Sequence, residues 1–111
     1  MVKTMKNDLG IIIAHREYYR ASDLNIPVVE LTVGKPIPSP HANDEFQCPY
    51  KIKSPGFDET NIVFGIDELQ ALQLALAAAA ARISSINSSL GLDLRWVGDE
   101  HGDLGIKIPA F

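Results

Sequence analysis

The sequence contains very little cysteine and has no long hydrophobic run near its N-terminus. Cys48 is the only cysteine among 111 residues, so no intramolecular disulfide can form. The first segment, MVKTMKNDLGIII, ends in only three consecutive isoleucines, whereas a secretory signal needs roughly 7–15 apolar residues in its middle region. Both absences fit a reducing compartment, and we expect a cytoplasmic protein.

Positive charge is also scarce. Ten Lys and Arg residues stand against 14 Asp and Glu residues, which gives a formal net charge of −4. A general nucleic-acid binder needs a basic face to displace counterions, so we expect no nucleic-acid partner. An acidic surface instead attracts a basic protein. Binding of a basic toxin by a small immunity-type protein is one specific form of such an interaction.

Most sequence motifs that are typical of enzymes are absent as well. The chain has no H-E-x-x-H, C-x-x-C or G-x-S-x-G pattern and no glycine-rich phosphate loop. Cys48 falls on the apolar side of an alternating segment, which favours a small buried hydrophobe over a nucleophile. The sequence therefore predicts no cofactor and favours a protein that is not an enzyme.

Alternating hydrophobic and polar residues predict an antiparallel sheet. Residues 26–33 and 46–53 alternate most clearly, although Pro49 cannot donate to a strand ladder and predicts an edge or a bulge. The residues predicted to face the core are Val29, Leu31 and Val33 in the first strand and Phe46, Cys48, Tyr50 and Ile52 in the second. Further strands are predicted over residues 11–19, 60–64 and 92–97, and residues 34–45 form a proline-rich loop.

The segment GIDELQALQLALAAAAARI, residues 65–83, predicts a long helix. Asp67 and Gln70 have the types and spacing of a capped helix start, and Gly91 is a natural stop, so the helix covers about residues 67–89. Two glutamines and Arg82 interrupt the apolar run, which leaves it shorter than the roughly 20 residues of a membrane span. We expect no membrane partner. The stripe predicted to be buried consists of Leu69, Leu72, Leu76, Ala79, Ile83, Ile86 and Leu90.

The opposite side of this helix has small side chains and no charge. Such a face suits close helix–helix packing and predicts a homodimer. The C-terminal segment could cover it instead, or the face could simply be exposed, because alanine is the best helix former. The candidate interaction residues are Leu74, Ala77, Ala78, Ala81 and Ser85.

These elements define an α+β fold in which an antiparallel sheet of about five strands packs against one long helix in the C-terminal half, in two layers. At 111 residues the chain is expected to form one domain, with residues 1–10 and 98–111 irregular.

One loop concentrates residues that bind metals. Residues 98–103 bring three carboxylates and an imidazole together, and a loop that curls could hold a divalent ion. A small metal-dependent hydrolase that uses this loop with His15 or His41 is the alternative function; a solvated polar loop is the simpler interpretation. The candidate ligands are Asp99, Glu100, His101 and Asp103.

Several of these segments together resemble a family of small uncharacterised bacterial proteins. In that family a C-x-Y strand, here Cys48 to Tyr50, precedes a helix of the form G-x-D-x-x-Q-A-L-x-x-A-L, here from Gly65 to Leu76, and a tryptophan strand follows. The resemblance covers about residues 11–97. It implies an α+β domain of unknown function, without catalytic residues to transfer. The favoured function is therefore a non-enzymatic protein-interaction domain that self-associates.

Overall fold

Two long β-hairpins supply most of the sheet. The computed structural model of the chain describes residues 9–99 and 102–106. The elements in chain order are β1 (Ile12–Arg20), β2 (Asp23–Gly34), β3 (Ile37–Pro38), β4 (Phe46–Ser54), β5 (Phe57–Gly65), α1 (Glu68–Leu90) and β6 (Leu94–Arg95). β1 and β2 form the first hairpin, and β4 and β5 form the second.

All pairings in the sheet are antiparallel. β5 lies along one edge of β4 over its whole length, whereas β2 pairs with the other edge opposite Tyr50–Lys53 and β3 opposite Phe46–Gln47. β1 follows β2, and the short β6 follows β1. The predicted α+β class and antiparallel sheet are confirmed, with six strands among the described residues. The sixth, β3, lies within the segment predicted to be an irregular loop.

Pro49 does not lie on an edge strand, so that part of the prediction is wrong. β4 has neighbours on both sides. The ladder to β2 nevertheless stops at Tyr50 and the ladder to β3 begins at Gln47. Pro49 thus stands where one side of β4 lacks a regular partner, which is how a residue without an N–H group is tolerated inside a sheet.

The strand faces are as predicted. The side chains buried between sheet and helix include Val29, Leu31 and Val33 of β2 and Cys48, Tyr50 and Ile52 of β4. We call the side that carries them the inner face and the opposite side the outer face.

The predicted buried stripe of α1 is confirmed at Ala79, Ile83 and Ile86, but Ala71 and Ala75 are also buried, whereas the predicted Leu69 and Leu90 are not. α1 packs against β4 and β5, and its buried residues are Ala71, Ala75, Ala79, Ile83 and Ile86. Leu69 is 62% exposed and Leu90 is 48% exposed, so both were assigned to the wrong face. The physical reason is the short distance between the helix backbone and the sheet, which the small alanine side chains allow. The larger Leu72 and Leu76 pack against the core beside this contact.

Both ends of α1 are capped as the sequence predicts. The Asp67 carboxylate accepts from the Gln70 N–H at 2.7 Å, and the Gln70 side chain reaches back to the Ile66 N–H at 2.8 Å. Gly91 ends the helix with a left-handed backbone, and its N–H donates to the Asn87 carbonyl.

A glycine allows the start of the helix to lie against the end of β5. A Cβ placed on Gly65 would lie 2.5 Å from the Ala71 backbone nitrogen, closer than atoms in proteins approach. Ala71 itself is fully buried. The glycine and the alanine of the G-x-D-x-x-Q-A motif thus serve one close contact between strand and helix.

The chain after the helix covers the part of the inner face that α1 leaves free. The Tyr18 hydroxyl donates to the Leu104 carbonyl at 2.7 Å, and the Arg16 guanidinium donates to the Gly105 carbonyl at 2.9 Å. The same guanidinium lies 4.0 Å from the centre of the Trp96 ring. Described residues beyond β6 form neither helix nor strand.

The predicted last strand, residues 92–97, is mostly absent. Only Leu94–Arg95 pairs, with Tyr19 and Arg20 of β1. Asp93 has a positive φ of 53°, which an extended strand cannot include.

By length and composition alone, α1 could cross a membrane. It has 23 residues, and an 18-residue window within it has a mean hydropathy of 1.3, so its length does not exclude a membrane span. The core helix of a folded domain has the same composition, and one side of α1 is buried against the sheet. The expectation of no membrane partner stays a prediction.

Candidate functional site

The predicted interaction residues lie on one side of α1, and their side chains range from half-buried to exposed. Leu74, Ala77 and Ala78 are half-buried, whereas Ala81 and Ser85 are exposed. Ala78 also packs against the core. The described C-terminal residues contact β1 instead, through the Arg16 and Tyr18 side chains.

Two side chains of α1 show which way this flank points. Leu76 lines a cavity of about 250 Å³ together with Leu31 and Val33 of β2, so it faces the centre of the sheet. Arg82 instead reaches outward to Glu59 of β5, with Nε to Oε1 at 2.7 Å. At about 100° per residue, Ala78 lies some 200° around the helix from Leu76.

The flank therefore lies over the outer margin of the sheet, above β5. We call it the helix flank: Leu74, Ala78, Ala81 and Ser85. Ala77 lies next to this flank, about 100° around the helix from Ala78.

β5 itself has an open edge beneath this flank. Within residues 9–99 and 102–106, β5 pairs only with β4. The strand runs for nine residues, and its pairing to β4 has no bulge. Its second half, TNIVFG, carries no charge or proline, and Ile62 and Phe64 are 46% and 44% exposed on the outer face. An unprotected edge of this kind is a template for another strand.

The acidic loop near the C-terminus uses its described carboxylates to hold its own backbone. Asp99 accepts from the Gly102 N–H, and Asp103 accepts from the Gly105 N–H at 3.0 Å and from the Trp96 indole at 3.4 Å. Glu100 and His101 lie outside the described residues. The metal site predicted from these four residues stays a prediction.

His15 and His41 lie in different segments of the described region, and His101 lies outside it. His41 lies exposed in the loop before β4, where its backbone N–H donates to the Ser39 hydroxyl. His15 lies on the outer face beside Glu17 and Glu30, and the three side chains offer ligand atoms within 4.8 Å of one another. Neither glutamate was among the ligands predicted from the sequence. Alternation along β1 places 15 and 17 on one face, but only the hairpin register brings Glu30 opposite Glu17.

Cys48 is a buried thiol, as predicted. It is completely inaccessible, and its Sγ lies 3.4 Å from the Gly34 carbonyl oxygen. Burial raises the pKa of this thiol from 9.0 to about 11, which disfavours the reactive thiolate.

The sequence matches the model of one protein family. The family model described as Domain of unknown function (DUF6968) matches residues 14–108. The chain belongs to this family. Comparison with curated proteins and with solved structures gives no significant match. The match covers both hairpins and α1, so these elements are the framework of the DUF6968 domain. The family description names no activity.

Proposed function

We propose that this DUF6968 domain is a protein-interaction domain that forms a homodimer through the open edge of β5 and the helix flank. The observation that carries the proposal is the coincidence of two features at one margin of the molecule. The unpaired strand edge lies in the sheet layer, and the charge-free helix flank lies on the same side of the domain in the helix layer.

Pairing between two β5 strands would satisfy backbone groups on both chains at once. Antiparallel pairing about a twofold axis perpendicular to the sheet gives one continuous sheet and keeps both helices on the same side. A twofold axis near Asn61 would place Asp58 and Glu59 opposite Phe64 and Val63 of the second copy. The carboxylates would then avoid the like-charge pairs that destabilise adjacent strands.

The same axis would bring the two helix flanks together. Helices in contact lie about 8–10 Å apart, and small residues allow the closest approach. Ala78 and Ala81 meet this requirement, and Arg82, the only charged residue of α1 beyond its first turn, is bound to Glu59 and leaves the flank uncharged. Both layers of the domain thus contribute to one isologous interface.

Sedimentation equilibrium tests the proposal. We expect a dimer for the wild-type chain at micromolar concentrations and a monomer for Ala81→Glu, because the substitution places two carboxylates within the helix contact. Ala81 is exposed, so we expect the variant to fold like the wild type. Ile62→Lys at the strand edge should also weaken the dimer.

Ser84→Glu is the matched control for Ala81→Glu. Ser84 is also exposed on α1 but lies about 60° further from the sheet margin, and this variant should remain dimeric. A wild-type chain that stays monomeric at several hundred micromolar would overturn the proposal, and so would an Ala81→Glu variant that dimerises like the wild type.

A further inference from the structure

We infer that His15, Glu17 and Glu30 form a binding site for a divalent transition-metal ion on the outer face of the sheet. The site lies on the first hairpin, whereas the proposed dimer interface lies at β5, so the inference does not depend on dimer formation. The donors are one imidazole nitrogen and two carboxylates, a set that suits Zn²⁺ and its neighbours in the first transition series.

The hairpin register creates the cluster. His15 and Glu17 are two residues apart on β1 and therefore point to the same face, and Glu30 is the direct cross-strand partner of Glu17. His15 Nε2 lies 3.8 Å from Glu30 Oε1. Ligands around a tetrahedral Zn²⁺ lie about 3.3 Å apart, given metal–ligand bonds of about 2.0–2.2 Å. Small rotations of these accessible side chains would bring the ligand atoms from the observed spacing to the spacing that a bound ion requires.

The two glutamates indicate a positively charged occupant. Like charges directly opposite on adjacent strands destabilise a sheet, and Glu17 faces Glu30 in the middle of the hairpin. A dication between the carboxylates would remove this repulsion. A protonated His15 would offset part of this repulsion, but it carries one positive charge, whereas the two glutamates carry two negative charges.

Neighbouring side chains orient two of the three ligands. Thr32 Oγ1 lies 3.0 Å from His15 Nδ1, so the tautomer protonated at Nδ1 leaves the Nε2 lone pair for a metal. The Tyr19 hydroxyl donates to Glu17 Oε1 at 3.0 Å. Hydrogen bonds of this kind fix the ligand geometry in metal sites and are worth roughly 10–100-fold in affinity.

Space for an additional ligand lies next to the cluster. A cavity of about 300 Å³ is lined by His15, Arg16, Glu17, Tyr19 and Val97. Three protein ligands leave the fourth position of a tetrahedral ion open. Water or a small anionic ligand could reach that position from this cavity.

Calorimetric titration of the tag-free chain with Zn²⁺ tests the site. We expect one equivalent to bind, and His15→Ala, Glu17→Gln and Glu30→Gln each to weaken binding at least tenfold. Thr32→Val should weaken it roughly tenfold through the imidazole. His41→Ala and His101→Ala are the controls and should bind as the wild type does.

The melting temperature, measured with and without Zn²⁺, distinguishes a metal site from a cluster of residues that only stabilises the fold. Without metal, Glu17→Gln and Glu30→Gln should raise the melting temperature because each removes the cross-strand repulsion. At the same Zn²⁺ concentration the wild type should gain more stability than either variant. No Zn²⁺ binding by the wild type, undiminished binding by His15→Ala, or loss of binding in His101→Ala would each overturn the inference.

Discussion

At the residue scale, Cys48 makes the stability of the fold depend on pH. Its thiol is buried and neutral in the folded chain, with a pKa raised to about 11, whereas the exposed thiol of the unfolded chain has the ordinary value of 9.0. The unfolded state therefore loses its proton first as the pH rises. This stabilising contribution is complete below pH 9 and is lost between about pH 9 and 11.

We expect the wild-type chain to lose about 1 kcal/mol more unfolding free energy than Cys48→Ala between pH 8 and pH 10. Urea unfolding of both proteins at the two pH values measures the difference. Other groups titrate equally in both proteins, so their contributions cancel. An identical response to pH in the two proteins would show that the thiol is not buried as described.

At the element scale, the contact between Gly65 and Ala71 determines how closely α1 approaches β5. Replacing Gly65 with alanine forces a methyl group against the Ala71 backbone, which cannot move without shifting the helix. We expect Gly65→Ala to cost about 1–3 kcal/mol, as measured by urea unfolding.

Gly91→Ala provides the comparison for this prediction. Its added methyl group meets nothing within 4 Å, but its φ of 60° is left-handed, so it should cost only about 1–2 kcal/mol of backbone strain. The two variants also differ in kind: only Gly65→Ala should change the packing of α1 on the sheet, visible as chemical-shift changes at Ala71 and Ala75. Equal and purely local shifts in both variants would contradict the steric explanation.

The strands could be predicted from the sequence more reliably than the packing of the helix. Period-two alternation defines the buried side of β2 and β4 without further information, because each residue has only two sides to choose from. The helix offers a continuous range of directions. Choosing its largest side chains as the buried stripe placed Leu69 and Leu90 wrongly, because backbone distance, which the sequence does not reveal, made alanine the better contact.

The cluster around His15 was missed for a related reason. Glu30 lies 15 positions further along the chain, and only the register of β1 with β2 brings it opposite Glu17. That register includes an irregularity between Ile12 and Ala14 and two more near the turn. Because a one-residue shift moves a side chain to the other face, alternation alone could not identify the three neighbours.

At the scale of the whole molecule, the proposed dimer predicts that stability depends on protein concentration. Dissociation accompanies unfolding when the folded chain is a dimer, so dilution favours the unfolded state. We expect the melting temperature of the wild-type chain to rise between 5 and 500 μM (about a hundredfold range, chosen to span ordinary dimer affinities). The melting temperature of Ala81→Glu should stay constant. Differential scanning calorimetry measures both, and a wild-type value independent of concentration would contradict the dimer.

The acidic net charge is also a property of the whole molecule, and it predicts a basic protein partner. Electrostatic attraction accelerates association and weakens with salt. The helix flank is uncharged, so a basic partner and a second copy of the chain would use different parts of the surface.

The alanine contact between α1 and the sheet has a consequence for how this family can vary. Positions 71, 75 and 79 are restricted by volume, and every natural side chain except glycine is larger than alanine. Polar and apolar replacements should therefore fail alike there, whereas Leu69 and Leu90 should accept many residues. A saturation mutagenesis map of α1 would then depart from the usual expectation for an amphipathic helix: three alanines would be among the least replaceable residues, together with the buried Ile83 and Ile86. The large and hydrophobic Leu69 and Leu90 would be among the freest to change.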